Sequence, residues 1–322
     1  MKVLITGGAG YIGGTLTRLL LAQGHAVTVY DNLCHSKRLA VAEKAEFIEG
    51  DVADRALLEH TLATGRFDGV MHFAALIEAG ESMKRPEIYF RNNTVATLTL
   101  LEAMLATGHD RLVFSSTAAC YGEPESTPIL ESAKLQPTNA YGESKLLVED
   151  MLRWVNLAHG FRYASLRYFN VAGAIAGYGE AHEPESHLIP LILDVALGRR
   201  ANIKIFGRDY PTKDGTCVRD YIHVQDLAEA HLLALGALKE KSSVIYNIGS
   251  GHGFTVLEVI DSVRRVTGGP IAVEECARRP GDPAVLVASA QKIKSELGWK
   301  PNFPELDSIV ASAWEWHQQL HA

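Results

Sequence analysis

Tyr141 and Lys145 stand four residues apart in the segment Tyr141-Gly142-Glu143-Ser144-Lys145, which opens a helical stretch. That spacing puts both side chains on one helix face. An ammonium beside a phenol favours the phenolate and lowers its pKa. A tyrosine so placed can serve as a base near neutral pH, and its natural target is a hydroxyl proton. Ser115-Ser116-Thr117 ends a strand-like run upstream. The Thr117 hydroxyl either hydrogen-bonds the hydroxyl being deprotonated or satisfies backbone at the strand end.

A second chemical feature lies at the N-terminus. Gly7, Gly10 and Gly13 form a G-x-x-G-x-x-G turn between a strand-like and a helix-like segment. The first glycine serves the tight turn, the second lets backbone approach a pyrophosphate, and the third allows close helix packing. The helix N-terminus that follows favours an anion. Asp31 ends the second strand and suits an adenosine ribose, which favours NAD over NADP; its bland reading is a cap or turn aspartate. Lys37 and Arg38 nearby soften that preference. Asp51 suits the adenine edge or, equally, the N-cap of a helix over 54–63.

These side chains need elements to hold them. Periodicity predicts strands over 2–6, 26–30, 46–49, 69–73, 111–115 and 163–168. Between them it predicts helices over 15–23, 55–63, 85–107 and 141–159. Strands alternating with helical crossovers imply an α/β fold with a doubly wound parallel sheet, covered on both faces. Beyond 174 the rhythm loosens. A loop is expected over 174–185, helices over 189–197 and 255–267, strands over 203–206 and 244–248, and a Pro/Gly turn over 278–283. The expected division is a dinucleotide-binding domain over 1–174 and a smaller, interleaved substrate-binding region over 175–322. Parts of about 216–260 are expected to pack back on the first domain.

Composition narrows the class. The 322 residues are 47% hydrophobic and 21% charged, with a formal net charge of −7. That is a globular mix with no basic surplus for nucleic acid. No apolar run approaches a membrane span, and the N-terminus shows no signal-peptide pattern. Cys34, Cys120, Cys217 and Cys276 are scattered and read as isolated thiols. His182 and His187 have a spacing that does not suit one helix face, so no metal is expected. A cytoplasmic protein without metal is the expectation.

The glycine turn, Ser-Ser-Thr and Tyr-x-x-x-Lys together resemble the extended short-chain dehydrogenase/reductases, whose fold is Rossmann-type. The likeness is sharpest to the UDP-glucose 4-epimerases. It rests on TGGAGYIGG at 6–14, YDNL at 30–33, HFAAL at 72–76, GES at 80–82, FSSTAACYG at 114–122 and YGESK at 141–145. It continues through LRYFNVAGA at 166–174, HLIPLILDVALG at 187–198, IFGRDYPTKDGTCVRDYIHVQDLAEAH at 205–231 and RRPGDPA at 278–284. The resemblance implies NAD contacts at Tyr11, Ile12, Asp31, Asn32, Leu33, Ser36, Asp51, Val52, Phe73, Ala74, Ala75, Asn92, Lys145 and Phe169. It implies Tyr141 as base, Lys145 as its tuner and nicotinamide-ribose partner, and Thr117 as assistant.

For the UDP-sugar, the resemblance implies Asn170, His187, Leu188, Lys204, Phe206, Arg219 and the segment Arg279 to Asp282, with Leu286 near the sugar's 2-substituent. Two guanidiniums suit a diphosphate, and Phe206 offers a flat face to uracil. The bland alternatives are an Arg219–Asp220 ion pair and a core Phe206. The family often has serine at position 117, and some relatives have asparagine at 187. The implied reaction is C4 epimerisation of UDP-glucose and UDP-galactose through a 4-keto sugar, with bound NAD regenerated. UDP-GlcNAc, UDP-GalNAc and UDP-pentoses stay open as substrates. The alternatives are a 4,6-dehydratase or decarboxylase and a non-catalytic NAD sensor. A homodimer through the helices around 85–107 and 141–159 is also implied.

Overall fold

The computed structural model describes residues 1–279 and 282–322; Pro280 and Gly281, inside the turn expected over 278–283 and the nucleotide-contact segment, lie outside the described residues. The chain opens with β1 (Lys2–Thr6), α1 (Tyr11–Ala22), β2 (Ala26–Asp31), β3 (Glu46–Glu49), α2 (Arg55–Gly65), β4 (Gly69–His72), α3 (Ala79–Ser82), α4 (Pro86–Tyr89) and α5 (Ala96–Ala106). A π-helical turn, Phe90–Val95, joins α4 to α5. There follow β5 (Arg111–Thr117), α6 (Ala140–His159), β6 (Arg162–Tyr168), β7 (Asn170–Ala172), β8 (Ala174–Ile175), β9 (Tyr178–Gly179), α7 (Leu188–Ala196) and β10 (Ile203–Phe206). The last third holds β11 (Val218–His223), α8 (Val224–Ala237), β12 (Ser243–Ile248), β13 (Gly253–Thr255), α9 (Val256–Thr267), β14 (Val273–Cys276), β15 (Val285–Leu286), α10 (Gln291–Leu297) and α11 (Leu306–Leu320).

Two compact units emerge. The first is Met1–Glu123, Lys134–Tyr168 and Ala228–Tyr246; the second is Pro124–Ala133, Phe169–Leu227 and Asn247–Ala322. The seven-stranded sheet runs β12-β6-β5-β4-β1-β2-β3. From β6 to β3 every neighbouring pair is parallel. Strand order reverses at β1, which has β2 on one side and β4 on the other, the place where such sheets leave a crevice at their carboxyl ends. The glycine turn leaves β1 there, and Phe73 and Ala74 leave β4 with their N–H groups donated to the Thr6 carbonyl. Leu4, Val70, Leu100, Leu112, Phe114 and Val148 share one core cluster, each worth about 1.5–3 kcal/mol of burial.

The second unit pairs β10 with β14 and gathers β13, β11, β15 and β7 in a small mixed sheet. Helices α7, α9 and α11 close over them through Ile189, Ile192, Ile260, Val263 and Ile309, in one cluster with Ile205 of β10. Several stretches differ from expectation: β14, α10 and α11 are additional to the expected elements, and the helix expected over 85–107 is interrupted by the π-turn. Residues 174–185 carry the β8–β9 hairpin rather than loop alone. Residues 218–237, of which 218–231 were quoted above only as a motif, form β11 and α8, because β11 is embedded between β13 and β15 while α8 carries Leu227, Ala230, Ala234 and Leu235 fully out of water.

The glycine turn separates packing from ligand approach. A Cβ on Gly13 would sit 2.4 Å from the Gly7 carbonyl oxygen, whereas one on Gly10 meets nothing nearer than 3.4 Å. Gly13→Ala should therefore cost about 1–3 kcal/mol of stability. Gly10→Ala should stay within about 1 kcal/mol of the native protein and lose dinucleotide binding instead. Thermal melts and the nucleotide released on denaturation check both; a Gly10→Ala protein that keeps its full dinucleotide would sink the distinction.

Candidate active site

Helix α6 starts where the chemistry is expected. Asn139 caps it by accepting from Gly142 N at 2.8 Å, and Gly142 lies so close to the turn after β5 that a Cβ would meet the Ala119 carbonyl oxygen at 2.7 Å. This close approach brings Tyr141 to the end of β5, where the Thr117 hydroxyl hydrogen-bonds its side chain. Thr117 Oγ1 also accepts from Ala119 N at 3.1 Å, so it satisfies backbone at the strand end while reaching the Tyr141 side chain. Lys145 is 2% exposed and donates to the Ser115 carbonyl at 2.9 Å.

Burial sets the protonation of this pair. Desolvation pushes Lys145 down to about 7. It pushes Tyr141 well above the ordinary tyrosine value; the neighbouring Tyr168 hydroxyl adds to the rise and the Thr117 hydrogen bond opposes it. The sequence expectation was a phenol acidified by the lysine. Burial opposes that effect at both groups, because each charged form loses more solvation than its neighbours return.

Asp31, 9% exposed, accepts from Ala9 N at 3.0 Å through one carboxylate oxygen and from Leu33 N at 2.9 Å through the other. It braces the glycine turn, and each oxygen keeps a lone pair for a further donor. Asp51 accepts from Asn32 Nδ2 at 2.9 Å and Ala53 N at 2.8 Å. It is not the helix cap: that is Asp54, which accepts from Leu57 N at 3.0 Å. Tyr11 and Ile12 open α1 after Gly10. Val52 is buried; Ser36, Phe73, Ala74, Ala75 and Asn92 are half-buried. All these residues belong to the first unit, whereas Phe169 and Asn170 belong to the second.

In the second unit, Arg219 on β11 donates to Asp282 Oδ1 at 3.2 Å and to the Pro283 carbonyl at 2.9 Å. Arg279 donates to Asp282 Oδ2 at 2.9 Å and lies 5.0 Å from the centre of the Phe206 ring. Phe206 is half-buried, not core. The alternative Arg219–Asp220 pair does not form, since adjacent strand residues face opposite ways; Asp220 instead accepts from Ser250, Gly251 and Ala288 N–H groups. Leu286 is the register partner of Arg219, and Asn170 pairs with Tyr221 on the same strand. His187 caps the position before Leu188 on α7, its Nδ1 2.7 Å from Glu185. Lys204 is exposed, 3.9 Å from Glu274.

Some residues near this chemistry were not foreseen. Asn93 donates to the Leu76 carbonyl at 2.9 Å and to Ser144 Oγ at 3.1 Å, tying the segment after β4 to α6. Ser82 Oγ accepts from Tyr141 N at 3.0 Å. Glu149 and Arg167 form a buried pair at 2.5 Å. Glu149 was findable, since it stands four residues past Lys145 on the same helix face. Among the described residues, Asp194, His317 and His321 form one cluster of metal-ligand type, at the opposite end of α7 from His187. His317 Nε2 is 3.0 Å from Asp194, which Arg199 also approaches at 3.3 Å.

The depressed Lys145 gives a pH signature. Its folded pKa lies below its unfolded one, so the unfolded chain binds more protons between them and stability rises with pH across that window. Lys145→Met removes the contribution. The variant should melt higher than the native ligand-free protein near pH 6, and the gap should shrink above about pH 7 and close only near 10.5, where the unfolded lysine also sheds its proton. A gap that does not vary with pH would contradict the burial argument.

A family model described as the NAD dependent epimerase/dehydratase family matches residues 3–249. The UDP-glucose 4-epimerase of Lacticaseibacillus casei is 50% identical, with 99% of this chain and 97% of that protein covered. The crystal structure of UDP-glucose 4-epimerase from Brucella ovis in complex with NAD superposes with a TM-score of 0.95 at 43% identity, covering 98% of each chain. The UDP-Glc/GlcNAc 4-epimerase structure from Campylobacter jejuni gives 0.87 at 44% identity, covering 99% of each chain. With a parallel sheet whose order reverses at the glycine turn and a Tyr-x-x-x-Lys helix packed on the end of β5, the chain belongs to the NAD dependent epimerase/dehydratase family.

Proposed function

We propose that this chain interconverts UDP-glucose and UDP-galactose by epimerisation at C4 with bound NAD. The observation that carries the reading is Tyr141 hydrogen-bonded to Thr117 at the end of β5 with Lys145 buried one turn on. The residues present fit the cofactor: at Gly10 a side chain would meet only the Gly7 carbonyl oxygen, at 3.4 Å, so backbone can approach a pyrophosphate, and Asp31 keeps acceptor capacity beside the turn. Bound NAD supplies an acceptor for the hydrogen at C4 and the donor that returns it, so no external redox partner is consumed.

The chain's own side chains handle the proton and the position. Tyr141 Oη takes the 4-hydroxyl proton and later gives it back. Thr117 Oγ1 orients that hydroxyl; its extra methyl relative to serine leaves the oxygen in place. Lys145 Nζ, held by the Ser115 carbonyl, regains its charge beside a ribose diol and then favours the phenolate. Phe206, Arg219 and Arg279 suit a nucleotide and its diphosphate, and a substrate held by its diphosphate can turn its sugar while staying bound. Asn170, His187, Leu188, Lys204 and Asp282 complete this binding set. The first unit is the NAD-binding domain and the second carries the nucleotide-sugar groups. A 4,6-dehydratase is disfavoured because Ala118 and Ala119 follow Thr117 where an acid/base pair would be needed.

Incubating the purified protein with UDP-galactose and no added cofactor should yield UDP-glucose by proton NMR. Tyr141→Phe should lower the rate by at least about 100-fold. Activity surviving that change would refute Tyr141 as the base. In the same assay Leu286→Tyr should weaken turnover of UDP-GlcNAc about 10-fold or more relative to UDP-glucose, because leucine beside Arg219 leaves room for an acetamido group. An unchanged ratio would remove Leu286 from the specificity argument.

The working form is a homodimer. Val95, Leu98, Leu147, Trp154 and Leu157, on the helical stretch ending in α5 and on α6, are all exposed large apolar side chains. A second copy of the same face would cover them as a helix bundle. Trp154→Glu/Leu157→Glu should sediment as a monomer where the native chain sediments as a dimer. Identical sedimentation would place the interface elsewhere. Among the described residues no helix is long and apolar enough to cross a membrane, and all four cysteines are free, which supports a cytoplasmic location.

A further inference from the structure

We propose that the buried Glu149–Arg167 ion pair is a positioning device for the proton-transfer side chains, an inference that rests on Tyr141 and Thr117 acting as described above. Glu149 lies on α6 four residues after Lys145 and eight after Tyr141, on the same helical face. Its carboxylate accepts from Ser116 Oγ at 2.5 Å, from Arg167 Nε at 3.0 Å and from Arg167 Nη2 at 2.5 Å. Arg167 is the register partner of Ser116 across β5 and β6. Its other amino group donates to the Tyr121 hydroxyl at 3.0 Å. Both charged side chains are nearly out of water, Arg167 at 2% and Glu149 at 5% exposed.

The placement is what gives the pair its role. Ser116 precedes Thr117, and Tyr121 closes the 3-10 turn, Ala118–Tyr121, that Thr117 caps. Arg167 precedes Tyr168, which neighbours Tyr141. One ion pair thus fixes β5 and β6 one residue from Thr117 and Tyr168, the turn four residues beyond Thr117, and α6 two turns along from Tyr141. Stability alone does not call for it, because a well-packed apolar pair of similar volume is often at least as stable as a buried ion pair. A fork-to-fork guanidinium and carboxylate set both distance and angle, whereas apolar contacts allow sliding. The two charges act in opposite directions on the adjacent Cys120 thiol, Glu149 raising and Arg167 lowering its pKa.

The test is the Glu149→Leu/Arg167→Met double variant, assayed for folding, bound NAD, kcat and KM on UDP-galactose. C4-deuterated substrate adds the primary isotope effect. The expected protein folds, retains NAD and keeps KM within about 3-fold, while kcat falls about 10- to 100-fold. Its isotope effect should rise as the chemical step becomes limiting. A folded double variant with native kcat and native isotope effect overturns the proposal. If that variant does not fold, Ser116→Ala and Arg167→Lys carry the test. Each should lower kcat about 3- to 10-fold at unchanged KM with a raised isotope effect, and native values in both overturn it. Tyr141→Phe run alongside keeps the two readings apart. Full turnover in that variant defeats the base assignment. An inactive Tyr141→Phe beside a native-rate double variant defeats the positioning role alone.

Discussion

A phenol and an ammonium taken out of water both lose their charged forms first, and the candidate site is arranged around that constraint. Tyr141 and Lys145 are held on one face of α6 against β5, where burial makes the phenol resist ionising and pushes the amine down to about 7. A charge held there must be met by a hydrogen bond or an opposite charge, and the Ser115 carbonyl meets part of that need at Lys145.

The remaining geometry follows from placing one helix accurately. Asn139 fixes the start of α6, Gly142 lets it touch the turn after β5, and Asn93 ties it to the segment leaving β4. The Ser82 hydroxyl holds the backbone of Tyr141. These are short polar contacts to backbone, so they fix position with little rotamer entropy at stake. The long apolar side chains of the sheet then supply stability without needing to supply aim.

The legibility of the molecule from sequence divides along the same line. The strands, the glycine turn and α6 announce themselves through apolar runs and helical spacing, which are local signals. Asp31 was read as a ribose acceptor or a turn aspartate, and it does brace the turn, because its two oxygens have capacity for both. The bland alternative for Arg219, a pair with Asp220, does not form, since sequence neighbours look like spatial neighbours until strand alternation separates them. Asp282, far away in sequence, is the actual partner, and no periodicity links the two. The desolvation that raises the Tyr141 pKa was not legible either. A four-residue spacing reveals who sits beside whom, not how much water both have lost.

Asp282 shows how the nucleotide-sugar side fits a reversible reaction. Its carboxylate spans Arg219 and Arg279, one oxygen to each, so the two guanidinium forks converge on one point. On the function proposed above, a diphosphate entering there would replace existing charge-assisted bonds rather than meet bare cations. That would limit the grip on substrate and product alike while keeping its geometry, and uniform binding of the two does not raise kcat.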